Sequence, residues 1–312
     1  MPASQQDFLT SAQGRTSRTA AEHRPERLSS RRAEIDLALA AVADGRGAFV
    51  WSGEPGMGAS TTLELVHEAL HEAPGPHPPL VLRVAQSVGP QRSGGAVRSI
   101  VSQVAQATGH DVPDRLVRPL DVADPEYGYL PEVGAVALAE YLEEAVPNRT
   151  VVLLADDLHL VDEISRAVVV GLVAQRRASL VLLATSVPGG FERPLPYPVE
   201  VRELAPLGPA EALHLLLVEE RLSVAPHVAA RLSRHLAGNA AAISQTARTL
   251  STEQLAGTAI LPDPLPPVPA VRRLLGDRLA ELAPEERRAL LVAAVAVVER
   301  TDILLAASGL SI

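Results

Sequence analysis

Residues 48–71 read AFVWSGEPGMGASTTLELVHEALH. The first four are apolar, with Phe49, Val50 and Trp51 good strand formers. A glycine-rich turn follows at once, and then Leu63, Val66 and Leu70 recur at helical spacing. A strand, a glycine turn and a helix in direct succession open a βαβ unit. Within the turn, Gly53, Glu54, Pro55, Gly56, Met57, Gly58, Ala59 and Ser60 fit the spacing G-x-x-x-x-G-K-[ST], with alanine where lysine is required. The glycines let backbone N–H groups turn inward to cradle phosphate oxygens, and the start of the helix adds its positive dipole end. Ser60 offers a hydroxyl at the magnesium position, and Thr61 continues the first turn. Ala59 brings neither charge nor hydrogen bond to the β- and γ-phosphates. A plain βα turn with spare glycines would read the same way, so the rest of the chain has to decide.

Working outward, residues 31–44 form an Ala-rich amphipathic stretch closed by Gly45 and Gly47, which predicts a helix. Downstream, apolar runs at 80–85, 151–155, 180–185 and 199–204 alternate with helical patterns at 95–108, 134–145 and 165–177. Runs that are apolar throughout suit parallel strands buried on both faces. The alternation predicts an α/β fold with a doubly wound parallel sheet. Residues 109–129 have no clear period and read as loop or insertion. After residue 204 the strands stop. Helical patterns at 209–219, 226–236 and 240–250 predict a small helical unit. A proline-rich linker, LPDPLPPVP, leads to two further helices at 270–283 and 284–298. The domain expectation is therefore a flexible leader at 1–27, an α/β core at 28–204, a helical lid at 205–260, and a linker with the start of a further unit at 261–312. The last stretch, ILLAASGLSI, reads as the beginning of another element, as if the piece ends inside a longer protein.

The run VVLLADD at 151–157 carries the second chemical signal. Two acids close an apolar strand, where ligands bind at the carboxyl edge of a parallel sheet. Asp156 is expected to hold Mg²⁺ and Asp157 to polarise an attacking water. A strand ending in an Asp-rich turn is the plainer alternative. The glycine loop upstream favours the functional reading. Thr185, with Ser186 beside it, ends the next apolar run, where a polar side chain can meet a terminal phosphate.

Composition sets the remaining bounds. Hydrophobic residues make up 47% and aromatics 3%, so the core is built from Leu, Val and Ala. The formal charge of −9 argues against a surface made for duplex nucleic acid. Cysteine is absent, which excludes disulfides, thiolate metal sites and cysteine nucleophiles. No apolar run is long enough to cross a membrane, and the N-terminus has no signal-like apolar region, so a cytoplasmic protein is expected. The nine histidines show no metal-binding spacing. Lysine is absent too, so any cation replacing the loop lysine must be arginine, with Arg31, Arg32 and Arg46 the nearest in sequence.

A set of blocks resembles AAA/STAND-type P-loop ATPase modules of large ATP-binding regulators of the LuxR family. These are LSSRRAEI at 28–35, the glycine loop, DDLHLVDEIS at 156–165, VRELAPLGPAEALHLL at 201–216, AGNAAAI at 237–243, and the stretch from 261 that leads into a winged-helix region in that family. Their order and spacing agree from about residue 28 onward. The resemblance implies a P-loop NTPase core, a helical lid, and ATP or ADP with Mg²⁺ as ligand. It also implies partners among other domains or subunits of a regulator. DNA contact would belong to a C-terminal domain outside these residues.

Four positions depart from the family pattern. Ala59 replaces the loop lysine, Leu160 a tryptophan, and Ala240 the lid proline, and TSVPGG at 185–190 lacks an arginine. Together they lead to an expected nucleotide-binding switch that hydrolyses weakly or not at all. An ATPase rescued by an arginine and a nucleotide-independent interaction scaffold are the two alternatives.

Overall fold

A computed structural model describes residues 31–72, 77–85, 94–114, 116, 131–175, 177–196, 198–296 and 300–309. The expected leader at 1–27 and most of the aperiodic stretch at 109–129 lie outside them. Five strands form one parallel sheet: β1 Arg46–Ser52, β2 Leu80–Arg83, β3 Val151–Ala155, β4 Leu180–Ser186 and β5 Glu200–Glu203, in the order β2-β3-β4-β1-β5. Thus β4 lies between the strand that feeds the glycine loop and the strand that ends in the two acids. Register is direct, with Trp51 beside Thr185 and Ala155 beside Ala184.

The helices divide between the two faces because side chains alternate along each strand. One face of the sheet presents Phe49, Trp51, Val152, Leu154, Val181 and Leu183. They pack on α1 (Arg32–Asp44) and α2 (Ala59–Glu72) through Ile35, Ala38, Leu63 and Val66. The opposite face presents Ala48, Val50, Leu153, Ala155, Leu182 and Ala184. It is covered by α3 (Gly95–Thr108), α4 (Pro131–Ala145) and α5 (Glu163–Gln175). Every residue of β3 and β4 is buried, as their apolar runs at 151–155 and 180–184 require, with Thr185 and Ser186 buried at the end of β4, whereas β5, of sequence EVRE, is an exposed edge. The α/β, doubly wound expectation therefore holds for the described residues.

The chain after β5 is helical. The segment α6 begins as an α-helix at Pro209–His214 and widens to π-helix over Leu215–Glu219. It is followed by α7 (Pro226–His235), α8 (Ala240–Ala247) and the short α9 (Thr252–Leu255). These pack around their own core of Leu207, Leu216, Leu232 and Ile243. Three more helices come last: α10 (Pro269–Glu281), α11 (Pro284–Val295) and α12 (Thr301–Ser308). Val268 and Ala270 seat the start of α10 against Ala242 of α8. No helix among the described residues is long and apolar enough to cross a membrane.

Candidate functional site

The loop between β1 and α2 sits at the carboxyl edge of the sheet. The Gly53 amide donates to the Ser186 carbonyl at 3.1 Å, so the β1–β4 ladder carries into the loop. Met57 N–H closes a tight turn on the Glu54 carbonyl at 3.0 Å. Gly56 and Gly58 have φ of +89° and +93°, a region that side chains rarely adopt. At Gly58 a Cβ would meet nothing within 4 Å, so this position is glycine for its backbone conformation and faces open space. The Thr62 amide and hydroxyl both bond the Gly58 carbonyl at 2.9 Å, which begins the α2 ladder. The amides just before Thr62 have no acceptor within the helix and are available to an anion.

The acids follow β3 directly. Asp156 Oδ1 accepts from Ser60 Oγ at 2.9 Å and from Thr185 Oγ1 at 2.6 Å. The Asp157 amide donates to Thr185 Oγ1 at 2.8 Å, and Asp157 adopts a left-handed backbone, φ 51° and ψ 55°. Thr185, expected to meet a terminal phosphate, lines the cleft, and its hydroxyl also holds the acid pair. The hydroxyl without a partner is that of Ser186, which is buried and lines the same cleft. Ser60 Oγ and Asp156 Oδ1 converge as hard oxygen donors, a pairing that fits Mg²⁺. His159, next to the acids, also lines the cleft, and its buried Nδ1 has no partner.

The cleft has a volume of about 650 Å³ and takes in every loop residue named above from Gly53 to Thr61, together with Asp157 and Thr185. That volume falls within the range of small-molecule and cofactor sites. Its far wall comes from the chain beyond the sheet: Leu207, Leu215, Glu219, Glu220, Ala240 and Ser244. Leu160 and Ala240, two of the positions that depart from the family pattern, both face it.

The far wall touches the loop itself. Asn239 caps α8 by accepting from Ala242 N–H at 3.0 Å, and its Nδ2 donates to the Pro55 carbonyl at 2.9 Å. The Ala241 amide donates to the Gly56 carbonyl at 2.9 Å. A Cβ on Gly56 would lie 2.6 Å from Asn239 Oδ1, so only glycine admits this approach.

Arg31, Arg32 and Arg83 are engaged by other groups of the protein, and Arg46 lies at the far end of its strand. Arg31 is buried; its Nη2 donates to the Met57 carbonyl at 2.7 Å and its Nη1 to the Ala205 carbonyl at 2.9 Å. Burial pulls its pKa below the usual arginine value, against the attraction of Glu34, Glu211 and Glu219. Arg31 thus ties the loop to the segment after β5, and this bracing role was not expected. Arg32 pairs with Asp36 on the exposed side of α1. Arg46 opens β1, at the sheet edge opposite the loop. Arg83, at the end of β2, is held by both oxygens of Glu64 at 2.8 Å.

No family model matches the chain, and no curated protein matches it in sequence. Among solved structures, it is similar to the Drosophila ORC bound to DNA, at 18% identity and TM-score 0.47, over 92% of this chain and 76% of that one. It is also similar to a Thermotoga maritima RuvB variant, at 14% identity and TM-score 0.42, over 90% of this chain and 81% of that one.

Proposed function

We propose that the chain is a regulatory module that binds ATP or ADP with Mg²⁺, hydrolyses it weakly or not at all, and passes occupancy to attached domains or subunits. One observation carries this reading: α8 hydrogen-bonds the carbonyls of Pro55 and Gly56, so a ligand in the loop meets the helical bundle directly. The orphan amides ahead of Thr62 would take phosphate oxygens, and Ser60 and Asp156 would hold the metal. The metal would neutralise phosphate charge and order the polyphosphate. Thr185 keeps Asp156 and Asp157 in position, and the Ser186 hydroxyl faces the terminal phosphate.

The absence of a loop lysine removes a charge-assisted contact to the β- and γ-phosphates. Transition-state charge on the transferred group loses the same support, so turnover suffers more than binding. The blocks at 28–35, 156–165, 201–216 and 237–243 support placing the module in a cytoplasmic LuxR-type transcriptional regulator. In that setting its partners are neighbouring domains or subunits, and DNA is contacted elsewhere in the regulator.

Isothermal titration with Mg²⁺–ATP, paired with a phosphate-release assay, tests the proposal. Heat of binding without phosphate release is the expected result. Steady turnover would favour the arginine-rescued ATPase, and no heat at millimolar nucleotide would favour the nucleotide-independent scaffold.

A further inference from the structure

The cleft holds more acid than base. Glu54, Asp157, Glu219 and Glu220 line it, against Arg31 and Arg273. Glu220 is already met by Ser244 and Arg248. Arg31 has both terminal nitrogens on backbone carbonyls, one of them in the loop, so its guanidinium is already committed to bracing the cradle. Arg83 is closed off by Glu64. Arg273, on α10, is exposed and makes no hydrogen bond or ion pair among the described residues. It belongs to neither the sheet nor the bundle of α6–α9.

We infer that Arg273 is the cation that meets the polyphosphate in place of the missing loop lysine, so that α10 senses phosphate occupancy. This rests on the reading of the cleft as a nucleotide site. The argument is one of charge and availability. A nucleoside di- or triphosphate carries more negative charge than one Mg²⁺ neutralises, and position 59 supplies no cation. An unpartnered guanidinium lining the same cleft offers several donors in a planar fork that suits phosphate. The start of α10 is anchored on α8 by Val268 and Ala270. Pulling Arg273 onto the phosphates therefore acts on α10 from a fixed end.

The test titrates Mg²⁺–ATP, Mg²⁺–ADP and adenosine into the full chain and into Arg273→Gln, Arg273→Lys and the neighbouring control Arg272→Gln. Loss of one charge-assisted phosphate contact predicts about a ten- to hundredfold weaker Kd for ATP and ADP in Arg273→Gln. Adenosine binding should be unchanged, Arg273→Lys should keep part of the affinity, and Arg272→Gln should keep all of it. Because Arg273 is exposed and unpartnered, Arg273→Gln should melt with the parent chain. The double variant Ala59→Lys/Arg273→Gln should regain the lost affinity. Equal or tighter ATP binding by Arg273→Gln overturns the inference while leaving the nucleotide site standing. Failure of the parent chain to bind any of the three ligands overturns both together.

Discussion

Position 59 decides how much phosphate charge the loop can meet by itself. Ala59 opens α2 beside Ser60 and lines the cleft. Ala59→Lys is expected to tighten Mg²⁺–ATP binding by about ten- to hundredfold, read by titration calorimetry. An unchanged Kd would show that the cradle does not receive the polyphosphate. The two hydroxyls at the end of β4 make a sharper contrast. Ser186→Ala removes a buried hydroxyl that has no protein partner. Its unfolding free energy should stay within about 0.5 kcal/mol of the parent or rise, while ATP affinity falls severalfold. Thr185→Val breaks two bonds to the acid pair and should cost about 2–3 kcal/mol in urea unfolding. If the two variants behaved alike, the division of labour between the hydroxyls would be wrong. The residue types at 185 and 186 were readable as polar strand ends. Which of them is free was not, because that depends on how the Asp157 amide turns in a left-handed conformation.

At the scale of elements, Asp162 shows how a motif can be legible while its role is not. It belongs to the DDLHLVDEIS block, where the sequence offers it only as part of a resemblance. In the fold it caps α5: one carboxylate oxygen accepts from the Ser165 and Gly94 amides at 2.9 Å each, and so joins the starts of α5 and α3. The Ser165 hydroxyl in turn accepts from the Ala96 and Val97 amides. Burial pushes the Asp162 carboxyl up, but the bonds from Ser165 and Gly94 outweigh it and hold the pKa below the ordinary aspartate value. A group with a lowered folded pKa stabilises above its unfolded value of about 3.9, and that support is lost as pH falls through the folded value. Asp162→Ala should therefore cost about 2–3 kcal/mol at neutral pH, with the difference shrinking below about pH 4. Asp162→Asn keeps the acceptor and should lose less, with a flatter acid limb. Urea unfolding at both pH values checks this, and an Asp162→Ala loss that does not change with pH would contradict it. The central strands were plain from their uninterrupted apolar runs. The π-helical turn at Leu215–Glu219 left no mark in composition or period.

Across the whole molecule, the question is whether the helical bundle rides on the phosphate loop or merely follows it in sequence. Asn239 and Pro55 are 184 residues apart, and no pattern along the chain announces that they meet. The contact was unreadable because it depends on where the α6–α8 bundle settles once β5 ends at the sheet edge. Its design is specific: Asn239 uses its carbonyl oxygen to cap α8 and its amide nitrogen to hold the loop. Asn239→Asp keeps the cap acceptor and removes the donor, so α8 should stay folded while its hold on Pro55 is lost. Gly56→Ala attacks the same junction from the loop side. Its Cβ would clash with Asn239 at 2.6 Å, and φ of +89° strains any side chain. Both variants should leave the sheet core protected in hydrogen exchange. Both should speed exchange at the Ala241 amide, whose acceptor is the Gly56 carbonyl. In the parent chain, Mg²⁺–ATP should slow that amide further, because ordering the loop orders the carbonyl it bonds. In the variants this response should vanish even if nucleotide still binds. An Ala241 amide that responds to nucleotide equally in all three proteins would mean that the bundle does not take its signal through the loop.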